Sequence, residues 1–267
     1  MNKNDPFDAH GIEHLSPSSF NTFLDDKAMW IMRYLFGYKN GGGPAMWRGN
    51  AIDGGVGAYF GFEDKLYSTS ECIDLVKLYY ETDKKRCRAD FPTQSIDEKK
   101  YIEEEDRLER YFKTAVNFYD DIGVPLDYQK KIELQLPDIP VPIIGFIDLL
   151  YEDSIRDIKT TARSPSKVSD AHARQVSVYA KAENRIPKLD YVVVTAKEEK
   201  VVTHEVKNVD RNIKIVEQIA YSIMQFLSYS NDKHELANSC YPNLDDWKWG
   251  EDEINFAKTI WSIWNEK

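Results

Sequence analysis

The chain has 267 residues, 42% of them hydrophobic, and a formal net charge of −10. This length and apolar content can fill a core, so we expect one globular body, a single domain over residues 1–267. The amino terminus lacks the apolar segment of a secretory signal, and no apolar run approaches the roughly 20 residues that span a bilayer. These features exclude a membrane partner and predict a soluble, cytoplasmic protein.

The three cysteines, Cys72, Cys87 and Cys240, are widely spaced and contain no C-x-x-C pair. Their number and spacing indicate neither a disulfide framework nor a thiolate zinc site. We therefore expect them to be buried thiols without a metal.

Basic residues are concentrated in one part of the chain. Ser154 to Lys188 contains eight lysines and arginines against three acids, a local charge of +5 that leaves about −15 for the remainder. Phosphate binding requires local positive potential, which this segment can supply. For a charge cluster taken alone, a solvated helix face is the more common explanation.

The first half of the chain predicts helices. A capped helix begins at Leu15 in LSPSSFNTFLDDKAMWIMRYLFG, and after NGGG the helical spacing resumes in PAMWRGNAIDGGVGAYFGF, which carries Asp53. Two more helical stretches follow, about Ser70 to Cys87 and about Asp97 to Ile122.

The second half alternates strands and helices. KKIELQL, VPIIGFIDLLYED and SIRDIKTT predict a three-stranded meander, and SDAHARQVSVYAKAEN predicts a helix that packs on it. LDYVVVTAKEEKVVTHEV predicts two further strands, and VDRNIKIVEQIAYSIMQFLSYS a long amphipathic helix. This order predicts an α/β fold, a mixed central sheet flanked by helices with an amino-terminal helical addition.

The hairpin formed by the second and third predicted strands brings acids together. Asp157 and Lys159 are two apart on a strand and share a face, while Asp148 lies symmetrically across the turn near Glu152. Two adjacent carboxylates repel each other, and a divalent cation with oxygen ligands relieves the repulsion. A lysine beside them suits the activation of water or the stabilisation of charge.

The acid-x-lysine triplet is weak by itself, because charged residues are common enough to produce it by chance. It recurs at Asp25/Lys27, Asp83/Lys85, Asp97/Lys99, Glu205/Lys207 and Asp246/Lys248. Glu205/Lys207 is the main rival because it also follows a strand pattern, but it lacks a matching acid on an adjacent hairpin strand.

Two further motifs frame the triplet. Gly145 to Asp148 reads G-x-x-D, and Gln175 and Tyr179 lie four apart on one face of the following helix. Alone, Gln175 and Tyr179 are readily explained as packing residues. Their order with the other motifs, within 35 residues, favours a common site.

This set of motifs resembles the PD-(D/E)XK nuclease superfamily, in its RecB-like branch that includes lambda-type exonucleases and small phage exonucleases. LSPSSFNTFL is similar to the opening S-x-S-x-L-x-x-F segment of that branch. RGNAID is similar to its R-G-x-x-x-H helix, except that Asp53 stands in place of the histidine. Many relatives carry four cysteines for an iron–sulfur cluster, and three cysteines cannot supply that set.

The resemblance implies a Mg²⁺- or Mn²⁺-dependent deoxyribonuclease. It implies that Asp53, Asp148, Asp157 and the backbone carbonyl of Ile158 hold the metal and that Lys159 orients the attacking water. Gln175 and Tyr179 would shape the site or touch DNA. The residues expected to contact DNA phosphates are Arg48, Arg163, Lys167 and Arg174.

The expected substrate is DNA, either single-stranded or at duplex ends, in replication, recombination or repair. Helices in residues 61–125 interrupt the motifs, so we expect this insertion to lie over or beside the site and to admit a threaded strand. Its aromatic residues, such as Tyr79, Tyr80, Tyr111 and Phe112, would stack on bases or pack in the core.

Three alternatives stay open from the sequence. They are a structure-specific endonuclease, an inactive nuclease fold that binds nucleic acid or acts as a scaffold, and an unrelated intracellular α/β enzyme or interaction protein in which these acids form salt bridges. The protein would act beside replication or recombination proteins, in the host cytoplasm if a phage encodes it.

Overall fold

The computed structural model describes residues 5–63, 65–246 and 248–261. The helices are α1 (Pro6–Ala9), α2 (Pro17–Asp25), α3 (Lys27–Tyr34), α4 (Pro44–Tyr59), α5 (Thr69–Asp90), α6 (Glu98–Glu105), α7 (Leu108–Ile122), α8 (Asp170–Glu183), α9 (Val209–Leu227), α10 (Lys233–Asn238) and α11 (Glu251–Ile260). The strands are β1 (Asp127–Leu134), β2 (Ile143–Leu150), β3 (Ser154–Thr161), β4 (Ile186–Val194) and β5 (Glu199–Glu205). None of the described helices is long and apolar enough to cross a membrane.

The predicted α/β architecture is confirmed, with all five strands near their predicted positions. Two predicted helices are each divided. The helix expected from Leu15 breaks at Asp26, whose extended backbone (φ −156°) ends α2 while its carboxylate caps α3 by accepting from the Met29 amide. An aspartate in this position satisfies an orphan N–H group and so favours a new helix start. The stretch from Asp97 to Ile122 likewise divides into α6 and α7.

The five strands form one mixed sheet in the order β1-β2-β3-β4-β5. The pairs β2–β3 and β4–β5 are antiparallel, whereas β3 and β4 are parallel. Parallel neighbours need a crossover connection, and α8 supplies it between β3 and β4. In the parallel register Asp157 lies opposite Leu189 and Lys159 opposite Tyr191.

The chain divides into two compact units. One comprises the residues up to Lys39, Glu133–Gly145 and those from Asp210 onward, and the other comprises Asn40–Ile132 and Phe146–Val209. The second unit contains every predicted site residue. The single domain expected over residues 1–267 stays a prediction.

The first unit is held by aromatic packing among its helices. Trp30 is fully buried, and its ring lies edge-on to Phe23 at 5.3 Å and to Phe226 at 6.2 Å between centroids. Such edge-to-face pairs are favourable beyond their burial of apolar area. Helices α2, α3 and α9 therefore share one core in this unit.

The core of the second unit lies between the helices α4, α5 and α7 and one face of the sheet. Ile158, Val192 and Val194 face these helices, and side chains alternate along a strand, so Asp157 and Lys159 leave the opposite face toward α8. Within the predicted insertion 61–125, α5 and α7 belong to this core. The cover that the insertion would provide for the site stays a prediction.

The aromatic residues of the insertion mostly pack in the interior. Tyr80, Tyr111 and Phe112 are fully buried, which assigns them to the core and not to base stacking. Tyr79 is half-buried and donates its hydroxyl to Glu63. The insertion therefore stabilises the second unit through its aromatic side chains.

A buried ion pair ties the strands together on the face that packs on α7. Arg156 Nη1 lies 3.0 and 2.8 Å from the two carboxylate oxygens of Asp190, which also accept from Tyr119 and Thr203. Arg156, Tyr119 and Thr203 together donate to both oxygens of the Asp190 carboxylate, so its buried charge is paired. Strands β3, β4 and β5 are thereby fixed to α7 behind the site.

Candidate active site

The β2–β3 hairpin brings Asp148 and Asp157 side by side. In the antiparallel register Leu149 lies opposite Arg156. The next pair consists of Asp148, which precedes Leu149, and Asp157, which follows Arg156. At this point the Asp148 carboxylate, through Oδ2, accepts the backbone N–H of Ile158 at 2.7 Å. The side chain of Asp148 is therefore anchored to the strand that carries Asp157.

Lys159 pairs with Asp157 on the same face of β3. Its Nζ lies 2.7 Å from Asp157 Oδ2, and Asp157 is only 1% exposed. Burial opposes the lysine charge, but the neighbouring charges of Asp157 and Asp148 outweigh it and raise the pKa of Lys159. Lys159 is thus a fixed ammonium at neutral pH, a donor and not a general base.

Helix α8 contributes Gln175 and Tyr179, as the spacing predicted. Gln175 Nε2 donates to Asp157 Oδ1 at 3.1 Å and lies 3.0 Å from the hydroxyl of Tyr179. Burial and the charge of Asp157 raise the pKa of Tyr179 to about 12, so its hydroxyl keeps its proton. Both side chains line the site from the helix side.

Asp53 reaches the site from α4 and is held by two donors from β1. The Tyr128 hydroxyl lies 2.9 Å from Asp53 Oδ2, and Gln129 Nε2 lies 2.7 Å from the same oxygen. Gln129 Nε2 also lies 3.2 Å from Asp148 Oδ1, so one amide bridges two of the acids. Asp53 Oδ1 is buried and has no hydrogen-bond partner among the described residues.

The charges of neighbouring acids help to raise the pKa values of Asp53 and Asp148. Burial and the charge of Asp157 raise the pKa of Asp53 to about 6. Burial, followed by the charges of Asp157 and Asp53, raises the pKa of Asp148 well above its usual range. A divalent cation bound beside Asp53 and Asp148 would favour their ionised forms and lower both pKa values again.

The donor set fits a hard divalent cation. Mg²⁺ and Mn²⁺ prefer carboxylate and carbonyl oxygens, and the unpaired Asp53 Oδ1 is an oxygen that lacks a partner. In the described part of the chain, however, no three His, Cys, Asp or Glu side chains are already gathered around one point. Donors from Gln129, Ile158 and Lys159 hold the acids instead, so binding of an ion requires these side chains to rearrange.

The close contact between α4 and β1 depends on Gly57. A Cβ at this position would lie 2.5 Å from the ring of Tyr128, whose hydroxyl binds Asp53. The glycine therefore allows Tyr128 to lie directly against α4.

We expect Gly57→Ala to destabilise the protein by about 1–3 kcal/mol, the usual cost of overpacking, as measured by urea denaturation. Gly49→Ala in the same helix is the matched control. Its Cβ would meet only Thr160 Oγ1 at 3.8 Å, and alanine favours a helix, so stability should stay equal or rise. Equal effects of the two substitutions would show that the contact between Gly57 and Tyr128 is not tight.

The predicted DNA-contacting residues lie in different environments. Arg48 is only 5% exposed, its guanidinium pairs with Glu104, and it also donates to Thr160 Oγ1 and to the Thr160 carbonyl, each at 3.0 Å. Its charge is already matched, so this placement contradicts a direct DNA contact for Arg48. Arg48 instead ties α4 to the strand residue that follows Lys159.

The other three cations follow Lys159 in the chain. Arg163 and Lys167 are exposed on the loop between β3 and α8, a few residues after Lys159, and Arg174 is half-buried on α8. The placement of Arg163 and Lys167 leaves their side chains available to a phosphate.

Sequence reasoning missed His172, Tyr191, Tyr128 and Gln129. His172 Nδ1 lies 2.8 Å from the Tyr191 hydroxyl, and burial, then the charge of Lys159, lowers the pKa of His172. His172 precedes Gln175 by three residues, so helical spacing was a usable signal for it. No local pattern distinguishes Tyr128 or Gln129 from ordinary strand residues.

Comparison with known proteins identifies the family of the chain. The model of the PD-(D/E)XK nuclease superfamily matches residues 14–246. A crystal structure described as a "putative exonuclease" from Eubacterium rectale is similar in fold, with 11% sequence identity, 96% of this chain and 92% of that chain covered, and a TM-score of 0.51. The crystal structure of SSO0001 also shares 11% identity, over 64% of this chain and 83% of that chain, with a TM-score of 0.32. No curated protein matches the chain. The chain belongs to the PD-(D/E)XK nuclease superfamily.

Proposed function

We propose that the protein is a Mg²⁺- or Mn²⁺-dependent deoxyribonuclease that degrades DNA from its ends. The observation that carries the proposal is the meeting of Asp148, Asp157 and Lys159 on one hairpin, with Asp53 joined to Asp148 through one amide. Nucleases of this superfamily generally use divalent metal ions. An inactive relative has no need to keep three acids and a lysine together, at the electrostatic cost described above.

Each residue has a separate role in the proposed reaction. Asp53, Asp148, Asp157 and the carbonyl of Ile158 would hold the ion, which lowers the pKa of water and neutralises charge on the phosphate when bound. Lys159 donates to the attacking water or to a phosphate oxygen, since it stays protonated. Gln175 fixes Asp157 through Oδ1 and Tyr179 closes the helix side of the site.

The substrate strand would enter along the loop between β3 and α8. Exposed Arg163 and Lys167 follow the catalytic strand directly, and Arg174 lies one turn into α8. The rest of the chain is strongly acidic and repels DNA, which favours a narrow, locally basic path over a broad duplex-gripping surface. Binding through these cations should weaken steeply with added salt.

The description of one protein with a similar fold and the narrow path proposed above favour an exonuclease over an endonuclease. The Eubacterium rectale protein with a similar fold is described as a "putative exonuclease". A narrow path also suits the end of a single strand or a frayed duplex better than a continuous duplex. We place the activity in DNA replication, recombination or repair, beside the proteins of those processes.

Linear and covalently closed circular single-stranded DNA of the same sequence provide the test, each with Mg²⁺, Mn²⁺ or a chelator. We expect the protein to release nucleotides from end-labelled linear strands only with a metal and to leave the circles intact. Equal cleavage of circles would assign the protein to the endonucleases. No metal-dependent cleavage of any DNA would overturn the proposed activity.

A further inference from the structure

We propose that Tyr128 and Gln129 are positioning residues that fix one oxygen of Asp53 so that the other is presented to the metal. The inference rests on the proposed function, because it takes Asp53 as a metal ligand. It adds two residues of β1 that neither the motifs nor the family match assigns to the site. Neither residue would touch the metal or the DNA.

The two donors converge on a single oxygen. Tyr128 Oη and Gln129 Nε2 lie 2.9 and 2.7 Å from Asp53 Oδ2, whereas Oδ1 is buried without a partner in the described structure. A carboxylate held at one oxygen cannot rotate freely, so the direction of the second oxygen is set. A buried acceptor without a partner costs free energy, which a bound cation would recover.

The backbone of Gln129 has an energetically unfavourable conformation. Its φ is +49°, in the left-handed region that non-glycine residues rarely adopt, although it lies within β1. Such a conformation costs about 1–3 kcal/mol and persists only where surrounding contacts impose it, often at functional sites. Here those contacts are the two carboxylates that the Gln129 amide bridges.

The ring of Tyr128 packs against α4 and against Phe62. Gly57 of α4 lies against one part of it, and the ring of Phe62 lies 5.8 Å away between centroids. The hydroxyl is therefore held in place independently of Asp53. A rigid donor of this kind is what orients a metal ligand from outside the coordination shell.

The Gln129 amide could instead compete with the cation, and this role predicts the opposite change in metal affinity. Its amide is 3.2 Å from Asp148 Oδ1 as well, between two acids that a cation would also bridge. If the amide competed with the cation, its removal would tighten metal binding. If it positions Asp53, as we propose, its removal weakens binding.

The experiment measures Mn²⁺ affinity by electron paramagnetic resonance or calorimetry, without DNA. The variants are Tyr128→Phe, which keeps the packed ring, and Gln129→Gly and Gln129→Asn, which tolerate the left-handed backbone. We expect each to weaken Mn²⁺ binding by about 10- to 100-fold, the usual effect of losing an outer partner of a metal ligand. Circular dichroism and urea denaturation confirm that each variant folds.

Two controls separate positioning from a general loss of structure. Tyr79→Phe removes a hydroxyl that binds Glu63 and should leave Mn²⁺ affinity unchanged. In an Asp53→Asn background, Tyr128→Phe should add little further loss, because both act through the same oxygen. Additive losses in that double variant would contradict the coupling.

The outcomes distinguish this inference from the proposed function. Wild-type protein that binds no Mn²⁺ would overturn both. Wild-type protein that binds Mn²⁺, with Tyr128→Phe and Gln129→Asn binding it equally well or more tightly, would overturn the positioning role alone.

Discussion

Replacing Lys159 by alanine should reduce DNA hydrolysis at least about a hundredfold while the protein still folds. Loss of one preorganised donor to the charge that develops in phosphoryl transfer typically costs roughly 3–4 kcal/mol of transition-state stabilisation. Lys159 stays protonated and lies 2.7 Å from Asp157, which in the proposed mechanism holds it where that charge develops. Initial rates on end-labelled DNA at saturating Mn²⁺ measure the effect.

The control lies at the end of the last strand, β5, of the same sheet. Glu205 and Lys207 form the same acid-x-lysine triplet, but Glu205 ends strand β5 and both side chains are exposed. Lys207→Ala should therefore keep near wild-type rates. Asp157→Ala should match Lys159→Ala in its loss of activity. If Lys159→Ala turned over DNA at the wild-type rate, or if Lys207→Ala were equally damaging, the assignment of the site to β3 would be wrong.

The hairpin part of the site could be predicted because its geometry is local. Alternation places Asp157 and Lys159 on one face, and the turn fixes which residue of β2 lies beside them. Helical spacing likewise links Gln175 with Tyr179 and would have extended to His172. In each case the sequence separation is short enough that secondary structure alone determines which side chains meet.

The β1 side of the site could not be predicted, because it depends on contacts between distant segments. Tyr128 and Gln129 reach Asp53 from 75 and 76 residues away, and no periodicity encodes that distance. Gln129 also owes its direction to a positive φ, which the identity of a glutamine does not signal.

The burial of Arg48 could not be predicted either, because it too depends on contacts between distant segments. An arginine next to a glycine on a helix resembles a phosphate-binding residue, and its charge gives no indication of burial. Glu104, 56 residues later in a charged helix, pairs with it, and the ring of Tyr111 lies 4.7 Å from the guanidinium. Pairing over such a separation is tertiary information.

Replacing Asp148 by asparagine should have two effects of opposite sign. DNA hydrolysis and Mn²⁺ binding should fall at least about a hundredfold, since a metal ligand is lost. The ion-free protein should become more stable, with a melting temperature higher by about 3–6 °C, or roughly 1–2 kcal/mol for a chain of this size. Burial and the charges of Asp157 and Asp53 raise the pKa of Asp148 in the folded protein. Near neutral pH, folding therefore carries the cost of protonating a group that is ionised in the unfolded chain, and asparagine avoids that cost.

Asparagine keeps the size of the side chain, and its carbonyl still accepts the Ile158 amide. Its Nδ2 takes the place of the oxygen that accepts from Gln129 Nε2, so that amide keeps only its shorter bond to Asp53. Differential scanning calorimetry with chelator and with Mn²⁺ measures stability and metal binding, and initial rates on end-labelled DNA measure hydrolysis. Asp190→Asn is the contrasting control in the same sheet. It leaves Arg156 buried without a full counter-charge and should lower stability by about 3–5 kcal/mol. A lower melting temperature of ion-free Asp148→Asn would mean that Asp148 is paired structurally, like Asp190, and is not held against repulsion for a cation.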